Sequence, residues 1–157
     1  MKNFVLFGKP GSGKGTQAEH LSEKYKLYHI STGDLFRKNI SQNTSLGLLA
    51  QSYMDKGELV PDEVTIKMLE NEIKENPQSK GFLFDGFPRT IAQAESLDKF
   101  LKSIDMQINA TIALDVDEEE LISRIIDRGK TSNRSDDQDI EKIQNRFNEY
   151  NMKTSTL

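Results

Sequence analysis

Four glycines lie around Lys14 near the start of the chain, at positions 8, 11, 13 and 15, and their spacing suits phosphate binding. Gly8 and Gly13 are separated by four residues, and Lys14 follows directly. Glycine has no Cβ, so the backbone N–H groups of such a loop can turn inward around an anion. The lysine adds a mobile positive charge for the β- and γ-phosphates of a nucleotide. The pattern predicts a phosphate-binding loop. The alternative is an ordinary turn, which would need fewer glycines and no lysine.

The segments on both sides of this loop fit the same interpretation. Residues 4–7 (Phe-Val-Leu-Phe) form an apolar run with the length of a buried strand, and a helical pattern begins near Thr16. The N-terminus of a helix carries a partial positive charge, which attracts an anion bound in the preceding loop. Strand, glycine loop and helix in this order are the setting of a P-loop, although Gly15 stands where that motif has serine or threonine.

Arginine is rare in this chain, and its positions are therefore informative. The sequence contains fifteen lysines and six arginines. A guanidinium group binds two phosphate oxygens side by side, whereas lysine acts as a point charge. Lysine here serves the charged surface, and the arginines are candidates for anion binding. The six are Arg37, Arg89, Arg124, Arg128, Arg134 and Arg146.

One carboxylate has the position of a magnesium ligand. Residues 82–85 (Phe-Leu-Phe-Asp) form an apolar run that ends in Asp85. In α/β proteins, ligands bind beyond the carboxyl ends of the strands, so Asp85 is expected at the edge that faces the nucleotide. A carboxylate there can hold Mg²⁺ through water. A helix-capping role in the following turn is the alternative interpretation.

The composition excludes several classes of protein. A length of 157 residues suits one domain, and 29% charged against 35% hydrophobic residues describes a modest core with charged helices. The net charge of −4 argues against general nucleic-acid binding. The absence of cysteine excludes disulfides and thiolate metal ligands and fits a reducing cytoplasm. No apolar run has the length of a membrane span or a signal-peptide core, so neither is expected.

The periodicity of the rest of the chain predicts alternating strands and helices, which indicates an α/β fold with a parallel sheet. Predicted strands cover residues 4–7, 28–30, 82–85 and 110–116. Predicted helices cover 14–24, a segment from 31 or 32 that carries Arg37, 44–56, 61–75, a segment from 90 to about 104, 118–128, and 138 to about 153. Residues 129–137 are polar and are expected to form an exposed loop or a small lid.

Several motifs occur together in one order and resemble those of adenylate kinases. Residues 8–17 are similar to the P-loop of that family, which also has glycine after the lysine. Residues 31–37 (Ser-Thr-Gly-Asp-Leu-Phe-Arg), 57–62 (Gly-Glu-Leu-Val-Pro-Asp) and 84–90 (Phe-Asp-Gly-Phe-Pro-Arg-Thr) look like its AMP-site motifs. Residues 128–137 resemble the lid of its short-lid members. The resemblance covers essentially the whole chain and is far more specific than any single motif.

The resemblance implies roles for individual residues. ATP is expected to contact Gly11, Ser12, Gly13, Lys14, Gly15, Thr16, Arg124 and Arg128. AMP is expected to contact Thr32, Gly33, Arg37, Leu59, Val60, Gly86, Arg89, Gln93, Arg134 and Arg146. The expected catalytic residues are Lys14, Arg89, Arg124, Arg134 and Arg146. Relatives that phosphorylate UMP or CMP usually have alanine and asparagine in place of Thr32 and Gln93, so these two residues favour AMP.

The resemblance also implies a fold and a reaction. The fold would be the three-layer P-loop NTPase type, with a core of 1–30, 61–128 and 138–157, a helical AMP-binding insertion at 31–60, and a short lid at 129–137. The reaction would be ATP + AMP ⇌ 2 ADP with Mg²⁺, by in-line transfer without a strong base. A monomer that acts on free nucleotides in the cytoplasm is expected. Structural zinc is not expected, since the lid is short and has no cysteine.

The sequence departs from the family pattern in three places. Asn133 replaces the glycine that usually precedes the lid arginine, and asparagine tolerates the left-handed backbone of such a turn. Lys9 stands in the loop where a small residue is common, and its charge could tighten or distort phosphate binding. Family members continue beyond residue 157 into a further strand and helix, so an exposed sheet edge is expected here. A UMP/CMP kinase, or a chain that binds nucleotide without turnover, are the alternatives to an active adenylate kinase.

Overall fold

The computed structural model describes residues 1–132 and 134–157, so that Asn133 of the predicted lid lies outside the described residues. The strands are β1 (Phe4–Gly8), β2 (Tyr28–Ser31), β3 (Phe82–Asp85) and β4 (Ala110–Leu114). The α-helices are α1 (Lys14–Tyr25), α2 (Thr32–Ser41), α3 (Ser45–Met54), α4 (Asp62–Glu75), α5 (Ile91–Ser103), α6 (Glu118–Gly129) and α7 (Ile140–Glu149). A 3₁₀ turn (Ser135–Asp137) precedes α7 and a π-helical turn (Tyr150–Thr154) follows it. The predicted α/β class is confirmed.

The four strands form one parallel sheet in the order β2-β3-β1-β4. In the register of this sheet, Asp85 is the partner of Leu6 on one side and of Ser31 on the other. The carboxyl ends of β1, β2 and β3 therefore reach the same edge of the sheet. That edge receives the glycine loop after β1 and the start of α2, which is the position where α/β sheets bind ligands.

Helices cover both faces of the sheet, and β3 at its centre is buried along its whole length. Successive side chains of a strand point to opposite faces. Phe84 accordingly packs with Leu69, Leu97 and other residues of α4 and α5, while Leu83 packs with Ala18 of α1. This arrangement gives the three layers that the sequence predicts. Each fully buried Leu or Phe contributes about 1.5–3 kcal/mol to folding, so the sheet is a firm platform for the loops at its edge.

Two smaller apolar clusters lie outside the central sheet. In one, α6 packs against α7 through Leu121, Ile125, Ile143 and Phe147. In the other, α2 packs against α3 and the following segment around Phe36, Ala50 and Val60. The helices that carry the predicted insertion thus have apolar contacts of their own.

The predicted edge strand is shorter than expected and is largely exposed. β4 ends at Leu114 instead of Val116, and it pairs with β1 on one side. Ala110, Thr111 and Ala113 are exposed, in agreement with the sheet edge that the sequence predicts. None of the helices in the described part of the chain has both the length and the apolar character that crossing a bilayer demands.

Candidate active site

The glycine loop connects β1 to α1 and requires glycine at two positions for reasons of backbone geometry. Gly11 and Gly13 have φ angles of 83° and 90°, in the left-handed region that side chains disfavour. A Cβ on Gly11 would lie 2.8 Å from Cγ1 of Ile125, so α6 also approaches the loop too closely for a side chain. Ser12 is buried within the loop, and Thr16 is in the first turn of α1.

Lys14 is the first residue of α1, and its ammonium group lies inside the curve of this loop. Nζ donates hydrogen bonds to the carbonyl oxygens of Gly8, at 2.7 Å, and Lys9, at 3.1 Å. Burial lowers the pKa of Lys14 to about 8. The negative charge of Asp85 acts in the opposite direction and raises this pKa, whereas the nearby arginines lower it further. A cation that is poorly solvated and surrounded by like charge is well prepared to bind a phosphate.

Lys9 is turned toward the start of α6. Its Nζ donates to Oε1 of Glu118 at 2.7 Å, and Nδ2 of Asn151 donates to the same oxygen at 3.3 Å. The hydrogen bond from Lys9 holds the pKa of Glu118 below its usual value. The extra charge that the sequence analysis singled out therefore has a carboxylate partner outside the loop.

A cavity opens beside the loop and is lined by residues from α2, the segment after α3, the segment before α5, and α7. Nine of the ten residues expected at AMP line it: Thr32, Gly33, Arg37, Leu59, Val60, Gly86, Arg89, Gln93 and Arg146. Of the residues expected at ATP, Lys14 lines it. The structure thus brings together segments that are more than one hundred residues apart in the sequence.

Several residues of the cavity wall were not predicted from the sequence. Tyr150 and Thr154, in the π-helical turn, line the cavity, and Oγ1 of Thr154 donates to the carbonyl oxygen of Arg89 at 2.8 Å. No motif or periodicity pointed to them. Phe36 and Met54 also line it. Phe36 belongs to the predicted AMP-site motif 31–37 but was not itself assigned a contact, and Met54 was named only as an apolar residue of its helix.

Arg89 is the cation that the cavity surrounds most closely. Its Nε donates to the carbonyl oxygen of Gly86 at 2.6 Å, and it forms no ion pair with a carboxylate in residues 1–132 and 134–157. Burial lowers the pKa of Arg89 to about 10, and the charge of Arg146 lowers it further. The guanidinium remains charged at neutral pH, so an anion in the cavity would be its natural partner.

Arg37 and Arg134 lie near each other at the outer side of the cavity. Arg37 pairs with Asp34 one turn earlier on α2, and Nη2 of Arg134 lies 3.7 Å from the same carboxylate. Burial lowers the pKa of Arg134, and the charges of Arg37 and Arg128 act in the same direction. Arg134, the tenth residue expected at AMP, is therefore close to Arg37, although it does not line the cavity.

Two aspartates of the 3₁₀ turn hold Arg128 and Arg146. Asp137 accepts two hydrogen bonds from Arg128, at 2.6 and 2.8 Å, and one from Arg146 at 2.8 Å. Asp136 lies 3.1 Å from Arg146. Burial alone would raise the pKa of Asp137, but these hydrogen bonds and charges lower it below its usual value. The prediction of an exposed loop is wrong here, because both carboxylates are buried by the arginines that they bind.

Arg124 has a different environment from the other five arginines. It is exposed on α6, where its Nε donates to Oε1 of Glu120 one turn earlier at 2.8 Å. It does not line the cavity. Its expected contact with ATP stays a prediction.

Asp85 ends β3 close to Lys14, and its environment fits a magnesium ligand. Mg²⁺ usually takes one or two protein carboxylates and completes its octahedron with water and phosphate oxygens. Within the described residues, no group of three or more His, Cys, Asp or Glu side chains could hold a metal, so phosphates and water would supply the other ligands. Nε2 of His29 lies 3.4 Å from Oδ2 of Asp85, a neighbour that no sequence pattern indicated.

The two residues expected to read the base are both buried at the cavity wall. Oγ1 of Thr32 donates to the carbonyl oxygen of Gly86 at 2.9 Å. Oε1 of Gln93 accepts from the backbone N–H of Arg89 at 2.8 Å, and Nε2 of Gln93 donates to Oδ1 of Asp62 at 2.7 Å. Asp62 had been expected to open α4 and to end the AMP-site motif 57–62, but its contact with Gln93 was not predicted.

Comparisons with known proteins agree with this geometry. The model of the adenylate kinase family matches residues 6–157. An adenylate kinase of Flavobacterium psychrophilum is 66% identical over the whole chain, which covers 83% of that relative. Adenylate kinases of Flavobacterium johnsoniae and Bacteroides fragilis are 61% and 50% identical over the whole chain, which covers 83% and 82% of them.

Proposed function

Because the chain belongs to the adenylate kinase family, a family of enzymes that transfer phosphoryl groups between nucleotides, we propose that it converts ATP and AMP reversibly into two ADP. The observation that carries this proposal is Arg89, a charged group without a carboxylate partner in the described residues, beside a P-loop and facing a cavity. A cation in that state favours a phosphorylated acceptor opposite the loop. The names of the relatives support AMP as that acceptor.

In the proposed mechanism, the glycine loop and Lys14 hold the phosphates of ATP. The loop supplies backbone N–H groups, and Lys14 exchanges its two carbonyl partners for phosphate oxygens as its positive charge becomes fully compensated. The residue directly after Lys14 is Gly15 and not serine or threonine. The hydroxyl groups available in and next to this loop are therefore those of Ser12 and Thr16. Gly11, Gly13 and Gly15 allow the close approach of the backbone.

On the acceptor side, Arg37 and Arg89 are proposed to bind the phosphate of AMP. Arg134 and Arg146 are proposed to bind the phosphoryl group while it is transferred. Phosphoryl transfer needs little covalent help from a protein, since charge neutralisation and in-line positioning account for most of the rate. Arg128 is proposed to contact ATP, as is Arg124, whose side chain would have to leave Glu120 to do so. No residue acts as a strong base.

Asp85 is proposed to hold Mg²⁺ through water. When bound, Mg²⁺ neutralises charge on the β- and γ-phosphates. Asp85 also attracts the ammonium of Lys14, which keeps that cation near the same phosphates. The adenine of AMP is proposed to lie against Thr32 and Gln93, with Gly33, Leu59, Val60 and Gly86 beside it.

Residues 31–60 are proposed to act as an insertion and residues 129–137 as a lid. Both would close over the core around the two nucleotides and exclude water. Free nucleotides would be the partners of this enzyme, which is proposed to work as a monomer in the cytoplasm. The absence of cysteine is consistent with that compartment.

The direct test is transfer from Mg·ATP by the purified chain, with AMP, CMP, UMP and GMP offered in parallel. The proposal expects ADP to form fastest with AMP. Faster turnover of CMP or UMP would instead indicate a pyrimidine nucleotide kinase, and ATP binding without transfer would leave a nucleotide-binding protein. Asp85→Asn serves as the metal test, because it should weaken the dependence of the rate on magnesium concentration, and an unaltered magnesium titration would contradict the role of Asp85.

A further inference from the structure

Asp62 is the first residue of α4, and both of its carboxylate oxygens bind side chains near the start of α5. Oδ1 accepts from Nε2 of Gln93 at 2.7 Å, and Oδ2 accepts from Oγ1 of Thr90 at 2.9 Å. Thr90 in turn caps α5, since its Oγ1 accepts from the backbone N–H of Gln93 at 3.2 Å. Asp62 therefore spans two helices that are about thirty residues apart in the sequence and contacts the buried glutamine of the cavity wall.

The orientation of the Gln93 amide follows from the chemistry of its two neighbours. An ionised carboxylate only accepts hydrogen bonds, so the group that faces Asp62 must be the NH₂. A backbone N–H only donates, so the group that faces Arg89 must be the carbonyl oxygen. A rotation of the amide by 180° would place oxygen against oxygen and NH₂ against N–H. Asp62 and the backbone of Arg89 thus exclude one of the two amide orientations.

This fixed orientation leaves a defined pattern for a ligand in the cavity. One hydrogen of Nε2 and one lone pair of Oε1 remain, as a donor beside an acceptor. Adenine presents the complementary pair, an acceptor ring nitrogen beside the donor N6–H₂. A 6-oxopurine has an oxygen acceptor in place of N6–H₂, and its N1–H is a donor. It would need the opposite amide orientation to form the same two hydrogen bonds.

We propose that Asp62 is a specificity-determining positioning residue, which holds the Gln93 amide in the orientation that accepts adenine and rejects 6-oxopurines. This inference rests on the proposed function, because it assumes that the base of the acceptor nucleotide lies against Gln93. Without this carboxylate, the backbone N–H of Arg89 alone would favour the present orientation, so the amide would rotate more easily and serve either purine. Asp62 therefore adds discrimination that Gln93 alone does not have.

A simpler role for Asp62 is to stabilise the start of α4, where an acidic side chain interacts favourably with the helix dipole. Glu63, the next residue, is exposed in the same first turn and shares that role without contacting Gln93. Glu63→Gln is therefore the matched control for Asp62→Asn. Both substitutions remove one negative charge from the same turn, and only one of them touches the glutamine.

The experiment measures kcat/KM for AMP and for IMP, which carries oxygen at position 6, in wild-type, Asp62→Asn and Glu63→Gln proteins. The asparagine introduced by Asp62→Asn can present its own NH₂ to Gln93 and so permits the rotated amide. We expect the AMP-to-IMP ratio to fall about tenfold in Asp62→Asn, mainly through KM, since a correct two-bond contact with a base discriminates by this order. The ratio in Glu63→Gln should equal that of wild type.

A second comparison separates positioning from loss of structure. In a Gln93→Ala background, Asp62→Asn should leave the AMP-to-IMP ratio unchanged, because Asp62 acts through Gln93. Thermal unfolding of each variant verifies folding. An unchanged ratio in folded Asp62→Asn, or an equal change in the Gln93→Ala background, would overturn the inference. If wild-type protein does not use AMP at all, the proposed function fails instead, and the two failures are distinguishable.

Discussion

Lys14 illustrates at the residue scale how a group that is proposed to bind phosphate can lower the stability of the fold. Its ammonium group lies within the glycine loop with only two carbonyl oxygens as hydrogen-bond partners among the described residues, and burial brings its pKa down to about 8. A lysine in water has a pKa of about 10.4. The folded state therefore binds the proton of Lys14 more weakly than the unfolded state does, and this difference has a measurable consequence for stability.

We expect Lys14→Met to abolish transfer while it raises the free energy of unfolding by about 1–3 kcal/mol at neutral pH, because a poorly solvated charge is replaced by an apolar side chain. The gain has a defined pH dependence. Below pH 8 the cost of burying the charged lysine is complete. Between about pH 8 and 10.5 the unfolded state holds more protons at this site, so wild-type stability rises relative to the variant and the gain shrinks.

Urea denaturation of both proteins from about pH 6.5 to about pH 10 measures this difference, since that range spans the lowered pKa. Lys67→Met is the matched control, since Lys67 is an exposed lysine of α4 and should change neither transfer nor the pH dependence. Wild-type rates in Lys14→Met would remove Lys14 from the mechanism. A stability difference independent of pH would contradict the lowered pKa.

At the scale of secondary-structure elements, the glycine loop depends on a helix that is distant in the sequence. α6 approaches so closely that a Cβ on Gly11 would lie 2.8 Å from Ile125 and 3.1 Å from the carbonyl oxygen of Leu121. α6 is held in turn by α7 and by Asp137, which joins Arg128 to Arg146. The shape of the glycine loop is therefore set by packing of α6 and α7 as well as by its own glycines.

This dependence predicts different outcomes for two glycines of the same motif. Gly11→Ala should lower the free energy of unfolding by about 2 kcal/mol, since the new methyl group meets α6 and the backbone has φ of 83°. Gly15→Ala should be neutral or raise it by up to about 1 kcal/mol, because Gly15 is in α1 and, apart from its chain neighbours and the nearby backbone of α1, no described atom lies within 4 Å of its Cβ position. Urea denaturation measures both. Equal losses would contradict the close packing of α6 on the loop.

At the scale of the whole molecule, the predicted insertion (31–60) contacts two other parts of the described structure. These are α7 and the predicted lid (129–137). Nδ2 of Asn145 donates to the carbonyl oxygen of Lys56 at 2.7 Å, and Oγ of Ser135 donates to Asp55 at 2.7 Å. Arg134 and Asp34 add a longer ion pair. These contacts are few and polar, and such contacts contribute only about 0.5–1.5 kcal/mol each. They are consistent with a closure that opens without unfolding of the core.

We expect Asn145→Ala to increase hydrogen exchange locally in residues 45–58, with a change in global unfolding free energy of at most about 1.5 kcal/mol, because one hydrogen bond to the insertion is lost. Asn148→Ala, at an exposed position of the same helix, is the control and should leave exchange unaltered. Hydrogen exchange with peptide-level mass spectrometry makes the measurement. Faster exchange across the central strands as well would show that the insertion does not open separately.

Local sequence determined the elements and the position of the glycine loop, because both rest on short-range rules. The glycine spacing, the apolar runs and the Asp85 strand end all predicted the sheet edge correctly, since each depends on residues within one or two turns of chain. The predicted end of β4 and the predicted start of α7 were wrong by about two residues. The last paired residue of a strand and the residue that caps a helix depend on neighbouring parts of the structure. The local sequence pattern does not contain those neighbours.

The tertiary structure alone decided how the charged and polar residues pair. Contacts with ATP were predicted for both Arg124 and Arg128, yet the structure exposes Arg124 beside Glu120 and binds Arg128 to Asp137. It also buried Asp137 in a segment whose polar composition predicted an exposed loop, and it placed Asp62 against Gln93. These pairings depend on which faces of α4, α5, α6 and α7 meet. Side-chain partners from different elements leave no periodic signal in a single sequence, so only the packed chain could assign them.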